Sequence, residues 1–190
     1  LIQDYQLLFA GCHRSGSHYL HAVLNKSGLE MGHNRTVYGL GTVSPYFVPY
    51  AAQQVMAVRF SMKIHYYRSP VNVINSMCMA SPSTWEHIFN HIPEIVNIAE
   101  SRGSIPALVQ FWIRWNELAE DGSAFGFPIE HIHLRLQELN DYLLEVSNRR
   151  IDDAILEAAW SKRDSRMGQS GYGSLRYNSV CSTLNPQEYE

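Results

Sequence analysis

Residues 5–20, YQLLFAGCHRSGSHYL, constrain the fold more than any other stretch of the chain. An apolar run from Tyr5 to Ala10 breaks at Gly11 and crosses a short polar loop holding a second glycine, Gly16. It then resumes as helical sequence. The order strand, glycine-bounded loop, helix suits a phosphate. Glycines let the backbone approach an anion, and a helix start offers free N–H groups at the positive end of its dipole. The spacing from Gly11 to Gly16 matches a Walker-type loop, yet Ser17 and His18 stand where such a loop carries Lys and then Ser or Thr. The cation comes earlier, as Arg14, two residues before the second glycine. The pattern predicts a phosphate loop that is not built around ATP and magnesium.

At 190 residues the chain reads as a single domain over 1–190 with room for a substantial core. A net charge of −3 argues against a broad basic surface, so no nucleic-acid partner is expected and any anion site must be local. Cys12, Cys78 and Cys181 are far apart and odd in number, which fits a reducing, cytoplasmic setting better than a disulfide framework. No apolar run approaches the length of a membrane span, and no signal peptide is visible.

Along the chain, strands are predicted at Tyr5–Ala10, Met62–Tyr67 and Phe127–His133. Helices are predicted at Ser17–Lys26, from Pro70 to Met79, and at Thr84–Glu100, Ile105–Asp121, Arg135–Val146 and Asp152–Ser161. Gly28 is suited to cap the first helix, and Ser69-Pro70 to start the second. Residues 32–50, with three glycines and two prolines, read as one long loop, and 165–190 as irregular. The alternation predicts an α/β fold of three layers around a central parallel sheet, with ligands at the carboxyl ends of the strands. Arg14 and Arg68 both fall just past strand ends, so they are expected to converge on one ligand.

Arg68 also opens a second anion constellation. Ser69 and Ser76 are seven helical steps apart, roughly 700° of rotation, and so share a face beside Arg68 at a helix start. A guanidinium, hydroxyls and a helix dipole suit a second phosphate. The plainer alternative is a surface arginine beside an ordinary cap.

These two segments carry a family resemblance. HRSGS (His13–Ser17) after a strand resembles the 5′-phosphosulfate loop of the PAPS-dependent sulfotransferases, Lys/Arg-Ser/Thr-Gly-Thr/Ser. RSPVNVINS (Arg68–Ser76) is similar to that family's 3′-phosphate motif, Arg-x-Pro-x-x-x-x-x-Ser. Gly32–Asn34 with Gly41 and Ser44, then Phe111–Glu120, Phe127–Ile132 and Arg166–Gly171, resemble further landmarks of small bacterial members, in order along nearly the whole chain. Asn34 stands where those members carry Glu, Pro45 where Trp is common, and Tyr172-Gly173 where Asp-Trp is usual. The resemblance implies a P-loop nucleotide-hydrolase-like fold and a sulfuryl transfer from PAPS to the hydroxyl or amine of a small acceptor, with no metal. It places Arg14, Ser15, Gly16, Ser17 and His18 on the 5′ side, and Arg68, Ser76, Arg166 and Gly168 on the 3′ side. Arg14 would then be catalytic, stabilising charge on the departing 5′-phosphate; an arginine cannot act as a general acid at neutral pH.

For the base that frees the acceptor, His33 lies in the loop region after the first helix and has a suitable imidazole; His18 and Glu30 are the other candidates. Tyr38, Tyr46, Phe47 and Tyr50, with the helix from Thr84, would shape the acceptor pocket. His87 and His91 have metal-ligand spacing but no third ligand, and His131 and His133 would share a strand face. Trp112 and Trp115 read as core, Trp160 as a helix-end core residue or an adenine platform, and Arg149-Arg150 as a solvated loop. Two other functions compete: a P-loop small-molecule kinase using ATP and magnesium, disfavoured by the missing lysine, and a non-catalytic nucleotide-binding relative.

Overall fold

The computed structural model describes residues 2–77, 80, 82–91 and 105–159. Its centre is a five-stranded, all-parallel sheet in the order β2-β3-β1-β4-β5. The strands are β1 (Gln3–Gly11), β2 (Met31–His33), β3 (Gly41–Ser44), β4 (Val58–Tyr67) and β5 (Phe125–Pro128). Helices α1 (Ser17–Lys26), α2 (Tyr50–Val55), α3 (Pro70–Met77), α4 (Pro82–His91), α5 (Ile105–Glu120), α6 (Leu136–Ser147) and α7 (153–159) accompany it. The expected three-layer α/β arrangement is therefore present.

Strand alternation explains the layers. From Leu7 onward β1 is buried on both faces. Leu7 and Phe9 point to one side, where they join Leu20, Val23 and Leu24 of α1 and Leu139 and Leu143 of α6. Leu8, Ala10 and Cys12 point to the other and join Val73 and Met77 of α3 and Leu108, Phe111 and Trp115 of α5. A strand buried on both faces reads as a continuous apolar run, which is why residues 5–10 are the plainest strand in the sequence. Each large apolar side chain taken fully out of water there contributes about 1.5–3 kcal/mol.

Several boundaries fall where sequence puts them. α1 occupies Ser17–Lys26, with Gly28 following at φ +79°. α3 starts at Pro70, and Ser69 supplies the carbonyl that accepts the first helical hydrogen bond, from Val73. β4 begins at Val58, earlier than expected, because its first half alternates exposed and half-buried residues at the rim.

Two expectations need correction. Residues 32–50 are not one loop: β2 ends and β3 lies within them, pairing Met31 with Gly41 and Leu7 with Gly41. These strands are three and four residues long and draw their order from pairing, β3 with β1 and β2 with β3, not from local propensity. The connection between them has no helix; it folds back through antiparallel bridges Met31–Gly39 and Tyr38–Gly41. Second, Phe127–His133 is not a strand throughout. β5 stops at Pro128 and a 3-10 turn, Ile129–Arg135, follows. Proline cannot donate to a ladder, and β5 lies at the sheet edge where that is tolerated. His131 and His133 accordingly do not alternate on a strand.

The helix expected over Thr84–Glu100 is seen as Pro82–His91, and its remaining residues lie outside the described set, as do Trp160, Cys78, Cys181 and all of 165–190. Cys12 is a buried free thiol. No helix among the described residues is long and apolar enough to cross a membrane.

Candidate functional site

The sheet order places β1 and β4 side by side in register, Ala10 against His65 and Gly11 against Tyr66. Both strands therefore leave the sheet at the same carboxyl end, β1 into the loop 12–16 and β4 into Arg68 and α3. The loop turns sharply. Ser15 N–H donates to Cys12 C=O at 3.1 Å, Arg14 adopts φ +68°, and Gly16 adopts φ +94° as the cap of α1. Gly16 is thus needed for its left-handed backbone. Gly11 is needed for a different reason. A Cβ there would stand 2.5 Å from Tyr66 Cζ and 2.6 Å from the Tyr66 carbonyl oxygen, so its role is strand packing and not approach to an anion.

The two arginines meet. Arg14 Nε donates to Ser76 Oγ at 2.8 Å, and Arg68 Nη1 donates to the Arg14 carbonyl oxygen at 3.2 Å. Arg14, Gly16, Ser17, His18, Arg68 and Ser76 all line one cavity of about 270 Å³. Ser15 does not line it: the side chain is fully buried under the loop, against Cys12. Arg166 and Gly168 lie outside the described residues.

His33 sits behind the start of α1, with Nε2 3.1 Å from Ser17 Oγ. Its ring lies 4.1 Å from that of His18 and 4.9 Å from that of His21. Burial, followed by the neighbouring charges of His18 and His21, lowers its pKa to about 4, so it is neutral at pH 7. His18 is shifted down by burial, then by His21 and Arg14. Glu30 is exposed at the far end of β2; its carbonyl accepts from Leu40 N–H.

The same cavity is also lined by His13, Asn34, Pro45, Tyr46 and Thr84. His13 is only 4% exposed, and its ring meets Tyr46 at 4.9 Å, Trp115 at 5.0 Å and His87 at 5.6 Å. Burial holds this imidazole well below its usual pKa, and the charges of His87, Arg14 and Arg35 add to the effect. Arg35 caps the outer face of Tyr46, 4.6 Å from the ring centre.

Of the residues expected to shape an acceptor pocket, Tyr46 and Thr84 are at the cavity. Phe47 is instead a core side chain, 1% exposed and edge-on to Phe60; Tyr38 is exposed, and the Tyr50 side chain lies outside the described set. His87 faces Tyr46 at 4.6 Å, an aromatic contact that the His87–His91 spacing did not suggest. Among the described residues no three His, Cys, Asp or Glu side chains are grouped to hold a metal ion. Trp115 is fully buried core, whereas Trp112 is partly exposed and its indole N–H donates to the Arg68 carbonyl at 3.2 Å. His13 and His87 had no local signal, because their meeting depends on α4 packing over the loop.

Chemically, the cavity brings two guanidiniums, two serine hydroxyls and the start of α1 together with the rings of His13 and Tyr46 and the polar side chains of Asn34 and Thr84. It offers charge and hydrogen-bonding groups to an anion within a lining of mixed polar and aromatic character. The chain matches no model of a known protein family, and no curated protein is significantly similar to it.

Proposed function

We propose that the protein is a PAPS-dependent sulfotransferase, moving a sulfuryl group to a hydroxyl or amine of a small acceptor and releasing adenosine 3′,5′-bisphosphate. One observation carries this reading: the Arg14–Ser76 hydrogen bond joins the loop after β1 to the helix after β4, bringing two anion constellations 62 residues apart into one cavity. A nucleotide with phosphates at both its 5′ and 3′ positions is a ligand that uses both.

In the proposed reaction the acceptor oxygen or nitrogen attacks sulfur in line, the S–O bond to the 5′-phosphate breaks, and the electron pair stays on the phosphate. Arg14 and the N–H groups at the start of α1 stabilise that charge without giving up a proton. His33 is already in its proton-accepting form at pH 7. The acceptor's proton passes to the Ser17 oxygen as the Ser17 proton passes to His33 Nε2. The wall of His13, Tyr46 and Thr84 takes the acceptor body.

Thermal-shift titration tests the reading, because a ligand that binds only the folded chain stabilises it by RT ln(1 + L/Kd), which keeps growing with the free ligand concentration L. Adenosine 3′,5′-bisphosphate without magnesium raises the melting temperature, and transfer of labelled sulfate from PAPS to an acceptor panel follows. A response to ATP with magnesium alone sinks the proposal in favour of a kinase. Binding of the bisphosphate without transfer to any acceptor favours the non-catalytic relative. Arg68→Ala removes the preference for the bisphosphate over 5′-AMP; no such preference in the wild type refutes the role given to Arg68.

A further inference from the structure

Glu130 lies two residues beyond the end of β5, in the 3-10 turn. Its carboxylate reaches back to the start of α3. Oε1 accepts from Ser69 N–H at 3.1 Å and from Asn72 Nδ2 at 3.2 Å, and lies 3.5 Å from Arg68 Nε. Both charged side chains are largely enclosed, at 19% and 15% exposure. Arg68 is held from the other direction by the carbonyl of Arg14. Arg68 lines the cavity and Glu130 does not.

From this geometry we infer that Glu130 is a positioning residue: it fixes the Arg68 guanidinium and the first turn of α3 from behind, so that the second anion point is formed before ligand arrives. The inference rests on the reading that the Arg14–Arg68–Ser76 cavity binds a phosphate. The physical reason is entropic. A free arginine side chain loses most of its rotamer freedom on gripping an anion, and a carboxylate already ion-paired with the guanidinium removes part of that cost in advance. Asn72 and the Ser69 amide bring the helix start into the same bond set, so strand, turn and helix hold one guanidinium in place. A carboxylate beside an anion site also repels the ligand. The two effects have opposite signs, and position prevails here because Glu130 stands outside the cavity lining with the guanidinium set in it.

Isothermal titration of the full chain with adenosine 3′,5′-bisphosphate, and with 5′-AMP as control, tests this. Glu130→Ala weakens bisphosphate binding about tenfold while 5′-AMP changes by less than about twofold. Glu130→Gln keeps an oxygen to accept from Ser69 and Asn72, and recovers most of the loss. In an Arg68→Ala background, Glu130→Ala causes no further loss, because the guanidinium it positions is gone. Bisphosphate binding as tight or tighter in Glu130→Ala than in wild type overturns the inference. So does an undiminished effect of Glu130→Ala in the Arg68→Ala background. If the wild type binds the bisphosphate and Glu130→Ala matches it, the inference alone fails. If the wild type binds neither compound, the anion reading of the cavity fails and the inference falls with it.

Discussion

Replacing Gly11 by alanine probes the joint on which both anion segments depend. The added Cβ stands 2.5 Å from Tyr66 Cζ, 2.6 Å from Cε2 and 2.6 Å from the Tyr66 carbonyl oxygen, far inside contact distance. The ring has no room to withdraw, since Tyr66 is fully buried, and the carbonyl belongs to the β1–β4 pairing at Gly11–Tyr66. Overpacking of a tight core costs about 1–3 kcal/mol, and a clash with backbone belongs at the top of that range. For a chain of this size, about 3 kcal/mol lowers the melting temperature by roughly 6–12 °C. Gly126→Ala is the internal control, because its Cβ approaches no closer than 3.7 Å, to the His65 carbonyl oxygen. Differential scanning calorimetry of the two variants separates them, and the first also weakens phosphate binding because Arg14 lies three residues beyond the disturbed joint. A Gly11→Ala melting point within about 2 °C of wild type refutes the reasoning, as does an equal loss in Gly126→Ala.

Ser76→Ala removes the acceptor for Arg14 Nε and weakens bisphosphate binding about 2- to 12-fold in a titration, the worth of one ordinary hydrogen bond; unchanged affinity shows that the contact does not hold Arg14 in place. His33 links stability to acid. Its folded pKa of about 4 lies below the ordinary 6.5, so the unfolded chain binds a proton that the fold refuses. That stability is fully present above pH 6.5 and is lost as pH falls towards 4. The ceiling is roughly 3 kcal/mol, and solvent screening of a half-buried ring reduces it to about 1 kcal/mol. Urea unfolding of His33→Gln across this window shows a shallower pH slope than wild type; identical slopes discard the argument. Trp115→Ala, emptying a fully buried site against Phe111 and His13, costs about 3–5 kcal/mol by chemical denaturation, and a loss under 1 kcal/mol contradicts its place in the core.

The legibility of each part follows from where its information resides. β1, α1 and the start of α3 are written in local chemistry: a doubly buried apolar run, a glycine with left-handed backbone, and a Ser-Pro helix entry. The approach of Arg14 to Arg68 was legible too, because adjacent parallel strands deliver the loops that follow them to the same end of the sheet. The short strands β2 and β3 were hidden in glycine-rich sequence, since their order comes from pairing, β3 with β1 and β2 with β3. His13, His87 and Glu130 were equally hidden. Each meets its partners across layers, His13 under α4 and Glu130 back from β5 to α3, and no periodicity records such a meeting. Phe47 misled because an aromatic in a loop gives no sign of which side of the sheet it enters.

Arg14 gives the sharpest test of whether the loop is shaped for binding or for folding. Its φ of +68° is a conformation that side-chain-bearing residues seldom adopt and that costs about 1 kcal/mol or more outside glycine. Selection for stability alone favours glycine there. The residue present is instead the one whose guanidinium reaches Ser76 and whose carbonyl receives Arg68. Comparing Arg14→Gly with Arg14→Ala isolates the backbone term, because both lose the guanidinium and differ only in tolerance for positive φ. Glycine relieves the strain but gives back part of that gain as unfolded-chain entropy, so Arg14→Gly is more stable than Arg14→Ala by up to about 1 kcal/mol. Both bind the bisphosphate equally poorly, about 10- to 150-fold below wild type for a lost charged contact. Equal or greater stability of the alanine variant removes the strain argument. Undiminished binding in either variant removes Arg14 from the site.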